Sequence, residues 1–62
     1  MARDDEHIDF DGYVVHRTDA AVLFFVKEAD EEIWFPLSQV QVDDGDTSIL
    51  VPLWLARERG LI

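Results

Sequence analysis

Two histidines, His7 and His16, and fourteen carboxylates are the side chains of this 62-residue sequence most able to do chemistry. Imidazole and carboxylate together can hold a metal or pass a proton. A zinc site needs three or four ligands at set geometry. The chain has no cysteine, and nine positions separate the two histidines, so such a site would have to borrow acids from the N-terminal stretch. The segment "HIDFDGYVVHRT" carries Asp9, Asp11 and Gly12, a faint outline of a calcium loop. Aligned on Gly12, that loop would start at His7 and end at Thr18, where an Asp and a bidentate Glu are required. "VDDGD" fails in the same way. These acids read more simply as solvated faces and turns, and no metal is expected.

Catalysis fares no better. Ser38 has no histidine near it in sequence, and it reads as a hydroxyl cap on a turn. Ser48 falls in a strand. A domain this small has little room for a cleft that desolvates one carboxylate and raises its pKa. No acid, base and nucleophile stand out together, so neither enzymatic activity nor a cofactor is expected. The tryptophans carry more information. Trp54 is expected in the core, as the anchor of a short helix. Trp34 lies on the strand face opposite Ile33 and Phe35; if exposed beside Glu31 and Glu32, it marks a contact surface, because tryptophan is enriched at binding hot spots.

The net charge of −9 comes from fourteen acids against five bases, with Lys27 the only lysine. Such a surface repels phosphate backbones and attracts basic partners. It makes direct nucleic-acid binding an unfavourable expectation, since that rests on Lys and Arg. Acidic surfaces also keep small domains soluble, and that alone accounts for the charge in many proteins. No stretch approaches the 18 apolar residues of a membrane span, and "MARDDEHIDF" lacks the apolar core of a secretory signal, so the expected location is cytoplasmic.

These side chains must be positioned by a single domain, expected over residues 7–62, after a flexible acidic stretch at 1–6. With no disulfide to help, it must rely on packing; hydrophobic residues make up 48% of the chain, which makes that feasible. Residues 8–17 alternate as a strand, with a bulge expected at Gly12. Thr18 and Asp19 open a turn. Residues 20–28, "AAVLFFVKE", form a second strand apolar on both faces: Val22, Phe24 and Val26 point one way, Leu23 and Phe25 the other. The second face calls for cover from the C-terminal segment or another subunit. "EIWFP" is a third strand, stopped at Pro36, whose missing N–H interrupts a ladder. "PLSQ" then makes one tight turn, and the chain re-enters the sheet at Val40. In "VQVDDGDTSILV", Asp44-Gly45 predicts a two-residue hairpin that pairs Val42 with Thr47 and Val40 with Ile49, a four-residue "DDGD" loop being the alternative. Either turn leaves Val40, Val42, Ile49 and Val51 facing inward. A helix at about 52–59 starts with Pro52 at its first helical position and stops at a left-handed Gly60, with Leu61 folding back. The expected fold is mainly β: a five-stranded SH3-like meander or barrel with a short C-terminal helix.

The stretch Trp34 to Val40, "WFPLSQV", resembles the closing segment of SH3-like barrels, where an aromatic-Pro-Ser-Asn-Tyr-Val run ends a strand and turns into the last one. Gln39 stands close to the Asn of that pattern, no tyrosine follows it, and the acidic-aromatic element of the SH3 peptide groove is missing. The resemblance implies a corner and a barrel, not proline-peptide binding. More of the chain is similar to small phage and prophage proteins. The shared residues are Gly12, Thr18-Asp19-Ala21, Trp34-Phe35-Pro36-Ser38-Gln39-Val40 and Val51-Pro52-Trp54-Leu55-Ala56-Gly60-Leu61. That resemblance implies a mobile-element origin and no established activity.

The functional expectation is therefore a small acidic binding protein that modulates or inhibits a basic, nucleic-acid-binding host protein. Its acids would imitate nucleic-acid phosphates, as anti-restriction and anti-CRISPR proteins do. The alternatives are an accessory protein of phage DNA metabolism, or a structural homo-oligomer joined through residues 20–28. The expected contact residues are Trp34, Asp30, Glu31, Glu32, Asp43, Asp44 and Asp46, with Asp4, Asp5 and Glu6 adding to the acidic surface.

Overall fold

The computed structural model describes residues 6–62. The chain forms strands β1 (His7–Arg17), β2 (Ala21–Val26), β3 (Glu31–Pro36), β4 (Gln41–Val42) and β5 (Ser48–Pro52), followed by helix α1 (Leu53–Glu58); apolar and polar residues alternate along much of β1, whereas β2 is apolar throughout. The protein is mainly β: the five strands form one antiparallel sheet, in the order β3-β2-β1-β5-β4. β1 is long enough to serve two partners. Its residues 7–11 pair with β5 and residues 12–17 with β2. The order is that of a meander ring opened between β3 and β4, so the sheet is not closed and those two strands are its edges.

One face of every long strand feeds the core. Val22, Phe24 and Val26 of β2, Phe35 of β3, and Ile49 and Val51 of β5 are fully buried, joined by Phe10, Ile33, Leu55 and Ala56. Each large side chain of this kind contributes about 1.5–3 kcal/mol by leaving water.

Gly12 is not the expected bulge. The register between β1 and β2 shifts between Val14 and His16, leaving Val15 as the extra residue. Gly12 instead sits where β1 changes partners: its N–H donates to Thr47 C=O at 3.0 Å while its Cα pairs with Val26. A Cβ there would lie 1.7 Å from the Phe25 carbonyl oxygen and 2.7 Å from the Phe24 ring. Only a residue without a side chain lets the strands approach so closely.

β3 ends at Pro36, yet the ladder survives the proline. Leu37 N–H donates to Ala20 C=O at 2.9 Å, one position beyond it. β3 is an edge strand, and the missing Pro36 donor belongs to the side that faces no other strand among the described residues. Gln39 N–H then donates to Pro36 C=O at 3.0 Å and closes the tight turn.

The β4–β5 hairpin differs from the expected register. Val42 pairs with Ile49 and Gln41 with Leu50. Asp43 N–H donates to Ser48 C=O at 3.1 Å, so residues 44–47 form the loop. The cause is the Asp43 side chain. Its Oδ1 accepts from Thr47 N–H at 2.7 Å and Ser48 N–H at 2.9 Å, and its Oδ2 accepts from the Thr47 hydroxyl at 3.2 Å. Asp46, not Gly45, takes the left-handed backbone, with φ 57°. An aspartate that satisfies its own loop outweighs the local Asp-Gly turn preference. The slip is by two positions, so the faces survive: Ile49 and Val51 are buried, and Val40 and Val42 pack against the core.

Pro52 is the N-cap of α1 rather than its first helical residue; it keeps an extended ψ of 144° and still pairs with His7. Leu53 N–H donates to Glu6 C=O at 2.8 Å, which ties down a residue expected to fray. Residues 1–5, including Asp4 and Asp5, lie outside the described residues. At the other end Gly60 has φ +77°. Gly60 N–H donates to Arg57 C=O and Leu61 N–H to Ala56 C=O, the paired closure that lets Leu61 return to the core. The helix packs on β5 and β1 through Leu55 and Ala56, while Trp54 is 43% exposed. Trp54 is therefore not the anchor. In so short a helix, with Leu55 and Ala56 turned inward, the preceding position turns outward. Nor does α1 cover the Leu23–Phe25 face of β2, which stays half-buried.

Candidate protein-contact surface

The side of the sheet away from the core divides at Gly12 into two unlike halves. On the β1-β2-β3 half, ladder pairing sets two rows across the strands: Tyr13, Phe25 and Glu32, then His16, Leu23 and Trp34. Tyr13 stacks on Phe25 with ring centroids 5.0 Å apart and planes 22° from parallel. The edge of one ring meets the face of the other between His16 and Trp34, at 6.1 Å and 86°, across Leu23. Trp34 is 45% exposed, Tyr13 50% and the bulged Val15 41%, so the cluster is an open apolar surface. Contiguous exposed apolar area of this kind marks interaction sites more often than isolated exposed residues do.

On the β1-β5-β4 half the rows are polar. Asp9, Leu50 and Gln41 share one row, and Asp11 pairs with Ser48 in the next. Asp9, Gln41, Ser48 and Leu50, with Asp43 and Asp44 of the loop, line a shallow open cavity of about 390 Å³. Hydrogen bonds, led by that from Ser48 N–H, hold the Asp43 carboxyl below its ordinary pKa of 3.8. Asp43 is thus occupied in shaping its loop.

Of the expected contact residues, Trp34, Glu31 and Glu32 stand on β3, all exposed, and Asp30 precedes them in the turn with φ 53°. Asp44 and Asp46 sit on the β4–β5 loop and Asp43 at its base, and in ladder order β2 and β1 lie between the two groups. Asp46 pairs with Arg17 at 3.5 Å. The sequence reading missed Tyr13, Leu23, Phe25 and His16 as a joint surface, and Asp9 and Asp11 as acids of the polar half. The alternation of "HIDFDGY" was the available signal for Asp9, Asp11 and Tyr13, because Ile8 and Phe10 claim the inward face between them. Among the described residues, no three His, Asp or Glu side chains gather as a metal site requires.

No protein-family model matches this chain, and no curated protein or solved structure matches it either.

Proposed function

We propose that this protein is a small acidic binding module that docks on the basic surface of a nucleic-acid-binding protein and modulates it. The observation that carries the reading is the apolar cluster of Tyr13, Phe25, Leu23 and Trp34, whose Tyr13 and Trp34 are exposed and whose row on β3 continues into the exposed Glu32. Aromatic anchors supply contact area at low entropic cost. The net charge of −9 speeds the encounter with a positive partner and rejects negative ones. Asp9, Asp11, Asp43 and Asp44 extend the negative surface beyond the cluster, and imitation of phosphate spacing belongs to this reading. The resemblance to small phage proteins fits a role against host nucleic-acid enzymes.

The test is capture of the partner by tagged protein, with identification of what is retained. The reading expects a nucleic-acid-binding protein that added duplex DNA displaces, that elutes as salt rises, and that Trp34→Ala no longer retains. Retention of no basic protein at low salt, or retention indifferent to both DNA and Trp34→Ala, overturns it. A second reading draws on the half-buried Leu23 and Phe25: the same face meets another copy of the chain. Sedimentation across concentration decides, since a dimer dissociated by Trp34→Ala favours self-association, which like charge opposes.

A further inference from the structure

β3 ends the sheet on one side, and the ladder pattern shows which of its backbone groups are already used. Leu37 N–H donates to Ala20 C=O, so 37 and 20 are a hydrogen-bonded pair. Stepping by two, Phe35 with Val22, Ile33 with Phe24 and Glu31 with Val26 fall in the same class. The groups of Glu32 and Trp34 therefore point away from β2, into the open edge. The Trp34 carbonyl agrees: it accepts from Arg59 Nε at 3.2 Å, from outside the sheet. Among the described residues, the Glu32 N–H and C=O and the Trp34 N–H remain as the unpaired row of an edge strand.

We infer that β3 is a strand-addition site for an extended, cationic segment of the partner protein. The inference rests on the binding-module reading and adds the mode of recognition. Main-chain bonds form at Glu32 and Trp34, while alternate side chains of the incoming strand lie beside Trp34 and Glu32 on the aromatic half. Charge selects the occupant. Asp30, Glu31 and Glu32 are three consecutive exposed carboxylates at the start of the strand. The edge already takes a guanidinium from the chain's own tail, and among the described residues the Arg59 guanidinium has one other partner, Glu58 at 3.3 Å on an exposed surface. A second copy is the poorer occupant, because it brings the same net charge of −9 to an already acidic edge. The opposite edge, β4, is only two residues long.

The probes are three peptides added to ¹⁵N-labelled full-length protein: acetyl-Arg-Val-Arg-Val-Arg-Val-amide, its Glu-for-Arg counterpart, and the cationic peptide N-methylated at alternate backbone positions, in both registers. The expected result is saturable binding of the first, with amide exchange at Glu32 and Trp34 slowed about tenfold or more. The acidic peptide does not bind, and N-methylation abolishes protection in at least one register. Arg59→Ala, which removes the competing cap, tightens binding severalfold; Glu31→Gln and Glu32→Gln weaken it. Circular dichroism checks that each variant stays folded. Equal binding of the N-methylated peptides, or shifts confined to the Asp43–Asp46 loop, overturns strand addition and leaves the acidic-module reading in place. No saturable binding by the cationic peptide, or an affinity unmoved by Arg59→Ala, also overturns it, whereas the module reading falls only by its own capture experiment.

Discussion

The two halves of the outer sheet surface share a strand, a core and a single chain, yet one is aromatic and the other carboxylate-rich. Inward, they are alike: Phe10, Val22, Phe24, Phe35, Ile49 and Val51 are apolar throughout. Folding demands only that inner uniformity. The acidic half shows that this sheet tolerates Asp9, Asp11 and Gln41 on its outer side. The Tyr13, Phe25 and Trp34 cluster is therefore not a requirement of the architecture. It exposes area that solubility disfavours, which is why the proposed contact is placed there.

The sharpest way to break the comparison is at its boundary. Gly12→Ala sets a methyl against the Phe25 carbonyl. The expected loss is about 3 kcal/mol or more, against a total of about 3–9 kcal/mol for a chain this long. Urea denaturation should find the midpoint far below that of wild type; near-native stability would mean that the halves do not meet as tightly as described. Next comes Trp34→Ala. It should weaken the partner complex by about 2 kcal/mol, as loss of a hot spot does, while changing stability by less than half of that. Calorimetric titration against the captured partner and denaturation of the free variant measure the two quantities. Tyr13→Ala removes the stacked pair and should lower stability by about 1 kcal/mol. Leu50→Ala on the acidic half should stay within about 0.5 kcal/mol. Equal losses at the two positions would erase the energetic distinction.

The smallest effect is set by pH. The Asp43 carboxyl titrates below 3.8 in the folded chain because Ser48 and Thr47 hydrogen bonds favour its charged form. The folded state then binds the proton less readily than the unfolded state. This contribution is complete above the unfolded pKa and disappears as pH falls through the folded one. Asp43→Asn should be less stable than wild type at neutral pH, and the difference should shrink on acidification below about pH 4. Denaturation curves across that window check it, and a constant difference would deny Asp43 its role in the loop.

Much of the inner surface was legible, because burial imposes period two on β1, β2 and β5. The helix end was legible too, since Gly60 and Leu61 act through local backbone chemistry. Trp54 was not. Which residues of a six-residue helix face inward depends on the angle at which Pro52 delivers the chain, and hydrophobicity does not encode that angle. The hairpin register failed for a related reason: Asp-Gly is a strong turn signal, and the side chain that overrode it, Asp43, lies just outside the dipeptide. For the contact surface, Trp34 beside Glu31 and Glu32 could be read along one strand. Tyr13 joins Phe25 only once β1 has passed Gly12 and changed partners, which is a tertiary event.

The split pairing of β1 also orders events in time. β1, β2 and β3 are successive hairpins, so the aromatic half can assemble from neighbours in sequence. β5 reaches β1 from roughly forty positions away, a closure that slows folding. Arg59 on the Trp34 carbonyl ties the C-terminal segment to β3, a contact between positions 25 apart. A chain caught between these stages would be a three-stranded sheet with one greasy side and a bare rim, the species most prone to stick to its own kind. Crowded expression at high temperature should therefore tax this protein through its half-built form, well before its finished core gives way.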